Sequence, residues 1–451
     1  MESETTPSRR LGRFAPSIRP AWTNHNFDLI FVARVAMSCG RALAGVVTPI
    51  YLALEGFSAL EISLYVVVVS LASAAMSALI GASADRIGRK PFMVGLPLLT
   101  AAAAVVYAIT AIHPVLFLAG ALGSFGRGAG AGAGAVGPYQ PAESAFATDN
   151  IAPEHRNSMF GRLAFASSGG ATAGGLLALL VTSSHVHAAA ATVTFRASFV
   201  AIAVVSSLAG LIAVGLDEPA RPLRKAGQHH LHWPRRSGWL VYRLWITNSF
   251  NGAAVGMLGP FLTYWFFRRY GVGAAEVGVL YSVVNALTMA SSLSASGLAR
   301  RYGLVRTSAV MRAAQGLLVV PMVLAPNFEL AGAVYLVRMV TQRISLPLRQ
   351  SYTLGLAEPD ERAAVAAISN LPSQLAMSSS PLLTGYLFDE ISLNLPFEVA
   401  AALQLVNAGL WWQLFKDHPP EEERNPGAGR NRSGGAGDVS AATPTALTEP
   451  S

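Results

Sequence analysis

The chain has 451 residues, of which 52% are hydrophobic and only 13% charged, and its formal net charge is +8. Soluble domains carry about 25% charged residues, so this composition excludes an ordinary soluble enzyme or binding domain. Most of the positive charge lies in short segments between apolar blocks, where it orients membrane proteins, and it therefore does not predict nucleic-acid binding.

The first 26 residues are polar, basic and proline-containing, without the short apolar core of a cleavable signal peptide. The blocks that follow are long enough to cross a bilayer, which takes roughly 20 apolar residues in a helix. This pattern predicts an all-α integral membrane protein with twelve transmembrane helices. The predicted spans are 28–53, 58–83, 91–112, 115–147, 158–183, 193–215, 239–265, 275–298, 305–326, 330–355, 363–388 and 394–415.

The chain repeats itself. The segment "PAESAFATDNIAPEHR" at 141–156 aligns with "PLRQSYTLGLAEPDER" at 347–362, and "GFSALEISLY" at 56–65 aligns with "GVGAAEVGVL" at 271–280. The spacing between the copies changes because span four carries an extra Gly/Ala-rich segment. Two six-span halves in the same orientation are typical of duplicated transporters, so we expect two pseudo-symmetric six-helix bundles.

Lysine and arginine concentrate in the N-terminal arm, the loops after even-numbered spans and the tail. This asymmetry predicts a multi-pass protein of the cell (inner) membrane with both termini in the cytoplasm. The predicted segments are a cytoplasmic N-terminal arm (1–27), a first bundle (28–215), a cytoplasmic linker (216–238), a second bundle (239–416) and a disordered cytoplasmic tail (417–451).

Cysteine and histidine predict no covalent or metal chemistry. The single cysteine, Cys39, excludes an intrachain disulfide, and we expect it to be a small packed residue. The linker histidines His229, His230 and His232 have no cysteine or carboxylate at ligand spacing, so we predict neither a metal site nor a cofactor.

A charged loop, "GASADRIGRK" at 81–90, separates spans two and three. It resembles the motif G-x-x-x-D-R-x-G-R-K of the major facilitator superfamily, a family of secondary transporters. In that family the loop latches the two halves on the cytoplasmic side in one of two alternating states. The residues that carry the resemblance are Gly81, Asp85, Arg86, Gly88, Arg89 and Lys90.

Each position of this loop has a physical role that we can predict. We expect Gly81 to let span two pack closely on a neighbour and Gly88 to allow a tight reversal. The three bases should hold the loop on the cytoplasmic face, and Asp85 suits a helix N-terminus or an arginine. The second copy, "GLARRYGLVR" at 297–306, has Arg300 in place of Asp85, so the predicted latch is one-sided.

Two further resemblances are partial. Arg127 in span four is similar to the arginine of the family's R-x-x-q-G motif, although glycine and alanine replace the later residues. In span five, "GGATAGG" at 169–175 resembles the antiporter pattern G-P-x-x-G-G, but Ala171 replaces the proline, which weakens the case for export by antiport.

Several arginines fall within the spans, where each costs about 2.5–3.5 kcal/mol near mid-bilayer and needs a cavity or a partner. Those near a cytoplasmic end, Arg34, Arg243 and Arg312, we expect to reach the membrane surface. Spans one, four, seven and ten line the central cavity in the resembled family. We therefore hypothesise an anionic or carboxylate-bearing substrate bound by Arg41, Arg127 and Arg343, with Asn248, Asn251 and Tyr264 as polar partners. Alternatively, these arginines bind backbone carbonyls and one another through water.

Glu143 is the one carboxylate predicted well inside a span. The repeat places it opposite Arg349, which predicts a gating ion pair that forms when the cytoplasmic side closes. The competing pairing, with Arg34, stays within the first half. Proton symport through Glu143, anion exchange and facilitated passage all remain open as coupling modes.

The sequence therefore favours a monomeric secondary transporter that moves a small solute by alternating access. An efflux carrier of amphipathic compounds is an alternative within that class, and a transport-dead sensor or scaffold is an alternative outside it. An intramembrane enzyme is not predicted, because the sequence has neither H-E-x-x-H nor G-x-S-x-G and no pair of acids deep in its spans.

Overall fold

The computed structural model describes most of the chain between residues 23 and 418. The described residues are 23–125, 137–152, 155–180, 188–218, 234, 236–291, 301–358 and 361–418. Most of the predicted arm and tail, and the linker histidines, lie outside these ranges.

The described part of the first half is helical, in agreement with the six predicted spans. Span four comprises α4 and α5, on either side of residues 126–136. The helices are α1 (His25–Leu54), α2 (Ala59–Ile87), α3 (Lys90–Ile109), α4 (His113–Gly123), α5 (Tyr139–Asn150), α6 (Arg156–Leu177) and α7 (Ala188–Val214), with a short 3-10 turn at Ala178–Leu180.

The second half repeats this order of crossings. Spans seven, nine and eleven each comprise two helices in close succession. The helices are α8 (Gly238–Leu258), α9 (Leu262–Tyr270), α10 (Ala274–Ser291), α11 (Leu304–Leu317), α12 (Val319–Leu324), α13 (Phe328–Leu356), α14 (Arg362–Ser369), α15 (Leu371–Glu390) and α16 (Leu395–Phe415).

Length and composition alone mark several of these helices as membrane-spanning. Six helical segments among the described residues are long and apolar enough to cross a bilayer: His25–Leu54, Ala59–Gly81, Lys90–Ile109, Ser158–Leu180, Phe195–Val214 and Leu304–Leu324. Other crossings are interrupted, as span seven is at Gly259–Phe261, or carry several arginines, as α13 does. The predicted fold class, an all-α membrane protein of two six-helix bundles, is confirmed.

The internal repeat is visible in the backbone at the start of α2 and α10. Gly56 and Gly271 both adopt positive φ, at 90° and 66°, which glycine reaches without steric cost. Five residues after each glycine is a glutamate whose carboxylate accepts a hydrogen bond from a backbone N–H just before its helix. Glu61 accepts from the N–H of Ser58 at 2.8 Å, and Glu276 accepts from the N–H of Gly273 at 3.0 Å.

Small residues let helices approach closely within each half. In α6, Gly170 and Gly174 lie directly against the backbone carbonyls of Val35 and Cys39 in α1. In α8, Gly252 faces the backbone of Ser373 in α15 in the same way. A side chain at these glycines would collide with a neighbouring main chain, so the two helix pairs depend on them.

The molecule has two distinct ends. We call the end near residues 25, 88, 151, 217 and 416 the terminal end, because α1 begins there and α16 ends there. We call the opposite end, near residues 55–58, 110–112, 271–273, 325–327 and 391–394, the far end.

The halves meet at the far end along two seams. In one seam, Gly175 of α6 faces Gly278 and Ser282 of α10, and the Ser282 hydroxyl donates to the Thr172 carbonyl at 2.9 Å. Glycine on both sides of the contact brings the helix backbones close together, so this seam leaves little room between the halves.

The other seam joins α2 to α15. Gly385 lies against Ser63 and the carbonyl of Ala59. The carboxylate of Asp389 accepts from the N–H groups of Ala59 at 3.1 Å and Leu60 at 2.8 Å, so it caps α2 from the opposite half. These two seams close the far end.

Candidate functional site

A buried ion pair lies inside the first half, between α1 and α5. The Arg34 guanidinium pairs through Nη1 with Oε2 of Glu143, and its Nε donates to the Ser167 hydroxyl of α6 at 2.5 Å. Glu143 is fully buried and Arg34 is 7% exposed. Two opposite charges at this depth stabilise each other, because each alone would carry a large desolvation cost.

This geometry distinguishes the two pairings considered for Glu143. In this structure the carboxylate pairs within the first half, with Arg34, while Arg349 lies half-buried on α13 of the second half. The Glu143–Arg349 gate stays a prediction for a state in which the terminal end is closed.

The expectation that arginines near the terminal end reach the membrane surface is wrong for two of them. Arg34 is buried by its pairing with Glu143, and Arg312 is completely buried between α11 and α16. Arg243, in contrast, is half-exposed and donates to the Leu414 carbonyl at 2.8 Å. Sequence position gives depth along a helix but not the face on which the side chain lies, and the face decides between water and core.

Two of the three arginines predicted to bind the solute lie in described helices. Arg41 is half-buried on α1, and its guanidinium lies close to Gly137, whose Cβ would be 3.0 Å from Nη2. Arg343 is half-buried on α13. Arg127 lies outside the described residues. Both described arginines keep part of their surface accessible, as ligand-binding groups must.

The predicted polar partners in span seven are placed differently from one another. The Asn248 amide donates to the Ser369 carbonyl at 2.8 Å, so it joins α8 to α14. Asn251, almost one turn later, is half-buried. Tyr264 lies in α9 beside Phe388, with ring centroids 5.7 Å apart, and is therefore at the far end rather than at mid-depth.

Tyr264 lines a far-end pocket of about 470 Å³ together with Phe267, Arg268, Phe388, Asp389 and others. The lining combines aromatic rings with one cation and one anion. Since Asp389 also caps α2 across the seam, the pocket lies next to the contact that closes this end.

The charged loop between α2 and α3 is held by acids of its own half. Gly88 ends α2 with φ 98°, which is the reversal expected there. The carboxylate of Glu218, just after α7, accepts from the N–H of Arg89 at 2.9 Å and of Lys90 at 2.9 Å. The Arg89 guanidinium pairs with Asp149 at the end of α5.

Sequence reasoning missed Glu218 and Asp149. An acid directly after an even-numbered span, beside a loop rich in bases, was the available signal. Such an acid can accept from the N–H groups at the start of a neighbouring helix, as Glu218 does at α3, or pair with a base of the loop, as Asp149 does.

One predicted role in this loop is wrong. Gly81 is exposed, and a Cβ at this position would meet no atom within 4 Å, so it mediates no close packing here. Close packing of α2 on a neighbour occurs instead near Ser63, where the small residue is Gly385 of α15. Asp85 and Arg86 lie in the last turn of α2, but their side chains are outside the described part of the structure.

The site therefore combines a neutralised pair in the first half with arginines on α1 and α13. Of the acids on α1, α5, α8 and α13, Glu143 alone lies away from the helix ends, since Asp28, Asp149 and Glu329 lie in terminal turns. A pathway bounded by these helices consequently has positive charge in excess.

Comparisons with known proteins agree with this architecture. The sequence matches the family model described as Major Facilitator Superfamily over residues 30–342 and 244–449. Among curated proteins, the uncharacterized membrane protein YJR124C of Saccharomyces cerevisiae is 20% identical over 148 residues. That match spans only 33% of each chain.

Solved structures extend the likeness over nearly the whole fold. The nucleoside transporter NupG superposes with a TM-score of 0.66 at 14% identity, covering 87% of this chain and 100% of that one. The inward-open xylose transporter XylE from E. coli superposes with a TM-score of 0.66 at 15% identity, covering 89% of this chain and 100% of that one. At such identities the likeness establishes the fold. With the family match across both halves, it shows that the chain belongs to the Major Facilitator Superfamily.

Proposed function

We propose that this protein is a secondary transporter that moves a small anionic or carboxylate-bearing solute by alternating access. The solute would bind between the halves, with Arg41 and Arg343 supplying positive charge and Asn251 a neutral hydrogen-bonding group. Within the family this assigns a charge class to the cargo, which the fold alone does not do.

One observation carries the assignment of charge. The deeply placed acid, Glu143, is already neutralised by Arg34, the other acids of α1, α5, α8 and α13 lie at helix ends, and Arg343 of α13 is half-buried at depth. Positive charge at depth is costly unless it faces water, a partner or a ligand. A carboxylate or other anion would complement it.

The seams between the halves support a conformational state in which the far end is closed. Contacts of α2 with α15 and of α6 with α10 close the far end. A rocking motion about the central site would break these contacts and bring the terminal ends of the halves together. With both termini in the cytoplasm and the protein in the cell (inner) membrane, the present state would be closed to the outside.

Glu143 provides a route to proton coupling. When protonated, it would no longer compensate the charge of Arg34, which could then bind an anionic solute or move during closure. This makes proton-coupled symport the preferred mode over anion exchange and facilitated passage, since Glu143 is the titratable acid buried at the site.

Purified protein in liposomes tests the charge class. We expect saturable uptake of at least one member of a panel of radiolabelled carboxylates, with little uptake of neutral amide analogues. Arg41→Gln and Arg343→Gln should reduce that uptake at least about tenfold, while Arg306→Gln, exposed on α11, should leave it unchanged. Transport of neutral analogues with equal rates in all four proteins would refute the assignment.

The far-end pocket favours a second candidate, efflux of amphipathic compounds. The volume of the pocket falls within the range of small-molecule sites, about 300–1,000 Å³. Phe267, Phe388 and Tyr264 line it beside Arg268 and Asp389, and it is widely open with a lining more polar than apolar. Export of lipophilic dyes from cells that overproduce the protein, lost in Phe388→Ala, would support this function instead.

A further inference from the structure

A buried polar cluster lies within the second half, between α11 and α16. The Arg312 guanidinium donates through Nη1 to Oδ1 of Asn407 at 2.5 Å and lies 4.6 Å from the ring centroid of Trp411. One layer farther along, the Gln404 amide donates to Gln315 at 3.3 Å. The polar residues are spaced at helical intervals on both helices, so they form one continuous face on each.

The cluster has an excess of hydrogen-bond donors. Arg312, Asn407 and Trp411 are all completely buried. Yet Nε and Nη2 of Arg312, Nδ2 of Asn407 and Nε1 of Trp411 have no hydrogen-bond partner among the protein atoms described, whereas the acceptors left without a partner nearby are Oε1 of Gln404 and the Ser308 hydroxyl. A buried donor left unsatisfied costs about 1–3 kcal/mol, so four N–H-bearing atoms at one place are expensive unless something accepts from them.

The charge of the cluster is also uncompensated by its own helices. The acids of α11, α13 and α16 are Glu329 and Glu398, both in first turns at the far end. Arg312 is eight residues from the opposite, terminal end of α11, a depth of roughly 12 Å. A second cation, Arg349 of α13, lies at a similar depth, seven residues from the terminal end of its helix, and α13 packs against α11.

The first half has no equivalent of this cluster at the matching positions. Arg312 follows Gly303 by nine residues, and Pro97 follows the corresponding Gly88 by nine. The sequence repeat aligns Arg349 with Glu143, which in the first half is neutralised by Arg34. The first half therefore has a neutralised pair, Glu143 with Arg34. The second half has two cations, Arg312 and Arg349, and their helices carry no acid at that depth.

We propose that Arg312, Asn407, Trp411 and Arg349 form a binding site for a small inorganic monovalent anion, of which chloride is the probe. An anion there would accept from the free N–H groups and neutralise one of the two guanidinium charges. Complete burial of three of the four side chains favours a halide-sized ion over an organic acid. The site lies on spans nine and twelve, behind cavity-lining α13, and is therefore distinct from the proposed solute site.

Access to this site comes from α13. Arg349 is half-buried rather than enclosed, so it is the member of the proposed site that an ion from solution would reach first. An ion there would stabilise the second half. Its binding would raise the midpoint of thermal unfolding, which can be measured without a transport assay.

Thermal unfolding of the purified protein tests the proposal. We expect the midpoint to rise saturably, by roughly 2–4 °C, when sodium gluconate is replaced by sodium chloride at constant ionic strength. Trp411→Phe keeps an aromatic ring but removes one donor, and it should raise the half-saturating chloride concentration at least about threefold. Arg349→Gln should remove most of the chloride response.

Two controls separate this site from others. Arg306→Gln, on the exposed face of α11, and Arg343→Gln, at the proposed solute site, should each retain the full chloride response. The proposal is overturned if the wild-type midpoint is the same in both salts, or if Trp411→Phe and Arg349→Gln respond to chloride as the wild type does. Loss of the response in Arg343→Gln would also overturn it, because the ion would then lie in the central cavity.

Discussion

At the scale of single residues, the pairing of Arg34 with Glu143 is the feature with the largest energetic consequence. Both groups are buried, and the hydroxyl of Ser167 adds a further contact to the guanidinium. Removing one member of a buried pair leaves the other charged and desolvated, which is far more costly than the net stabilisation of the intact pair.

Glu143→Gln should therefore lower the free energy of unfolding by about 3–5 kcal/mol. Glu398→Gln, which removes an exposed acid from the first turn of α16, should have little effect. Thermal unfolding of both variants in the same detergent measures the difference. A stability of Glu143→Gln within error of Glu398→Gln would mean that Arg34 is not held by this carboxylate.

A charge exchange identifies the partner of Glu143. Arg34→Glu combined with Glu143→Arg should recover part of the stability lost in either single variant, since the two side chains contact each other in this state. The exchange of Glu143 with Arg349 should recover transport rather than stability, if those residues form the gate in the opposite state. Recovery of stability by the Arg349 exchange alone would contradict the observed pairing.

The sequence predicted which residues carry charge at depth but not all of their partners. Glu143 was recognisable as an isolated acid in an apolar span, and Arg34 was one of two pairings considered for it. The burial of Arg312 was not predictable, because its acceptor Asn407 is 95 positions away and lies on a helix with no charged residue at that depth.

At the scale of helices, ends and contacts are decided by glycine and by acids that cap a helix distant in sequence. Glu218 illustrates this at the start of α3, where its carboxylate binds two successive N–H groups. Free N–H groups at a helix N-terminus favour a negative charge, so a side chain from beyond α7 stabilises a helix three crossings earlier.

Glu218→Ala should accordingly cost about 0.5–2 kcal/mol, the usual range for loss of a helix N-cap. The neighbouring Asp217 contributes its backbone to the contact with Asn26, so Asp217→Ala is the matched control and should change stability less. Chemical denaturation monitored by tryptophan fluorescence compares the two. Equal losses would indicate that the Glu218 carboxylate does not cap α3.

The seam between α6 and α10 makes a sharper prediction about conformation. A Cβ at Gly175 would collide with Ser282 and with the Gly278 carbonyl of the other half, whereas a Cβ at Gly169, on the same helix, would meet no atom within 4 Å. Gly175→Ala should thus disfavour the closed far end, while Gly169→Ala should not.

Thiol labelling can measure this effect. With the native Cys39 replaced by alanine, a single cysteine at Ser282 should react faster in Gly175→Ala than in Gly169→Ala, because the seam that covers it is opened. Identical labelling rates would show that close approach at Gly175 does not hold the far end shut.

At the scale of the whole molecule, the two-bundle fold was the most predictable feature. Twelve apolar blocks and a sequence repeat predicted it, and the positive-φ glycines Gly56, Gly88, Gly271 and Gly303 mark the same corners in both halves. The state of the molecule was not predictable, because the closed far end depends on contacts between the halves, such as Gly175 with Gly278 and Asp389 with Ala59, that the sequence does not pair.

The central claim is that the halves rock about a pathway between them, and distances across the two ends test it most directly. Spin labels at Ile87 and Tyr302 report the terminal end, and labels at Ile112 and Leu324 report the far end; all four positions are exposed. Double electron–electron resonance would measure both pairs in liposomes, in wild type and in Gly385→Leu, which obstructs the α2–α15 seam.

We expect Gly385→Leu to shorten the terminal-end distance and lengthen the far-end distance relative to wild type. Opposite changes at the two ends are what alternating access requires. If both distances stayed the same, or if both changed in the same direction, the rocking mechanism proposed for this protein would be contradicted.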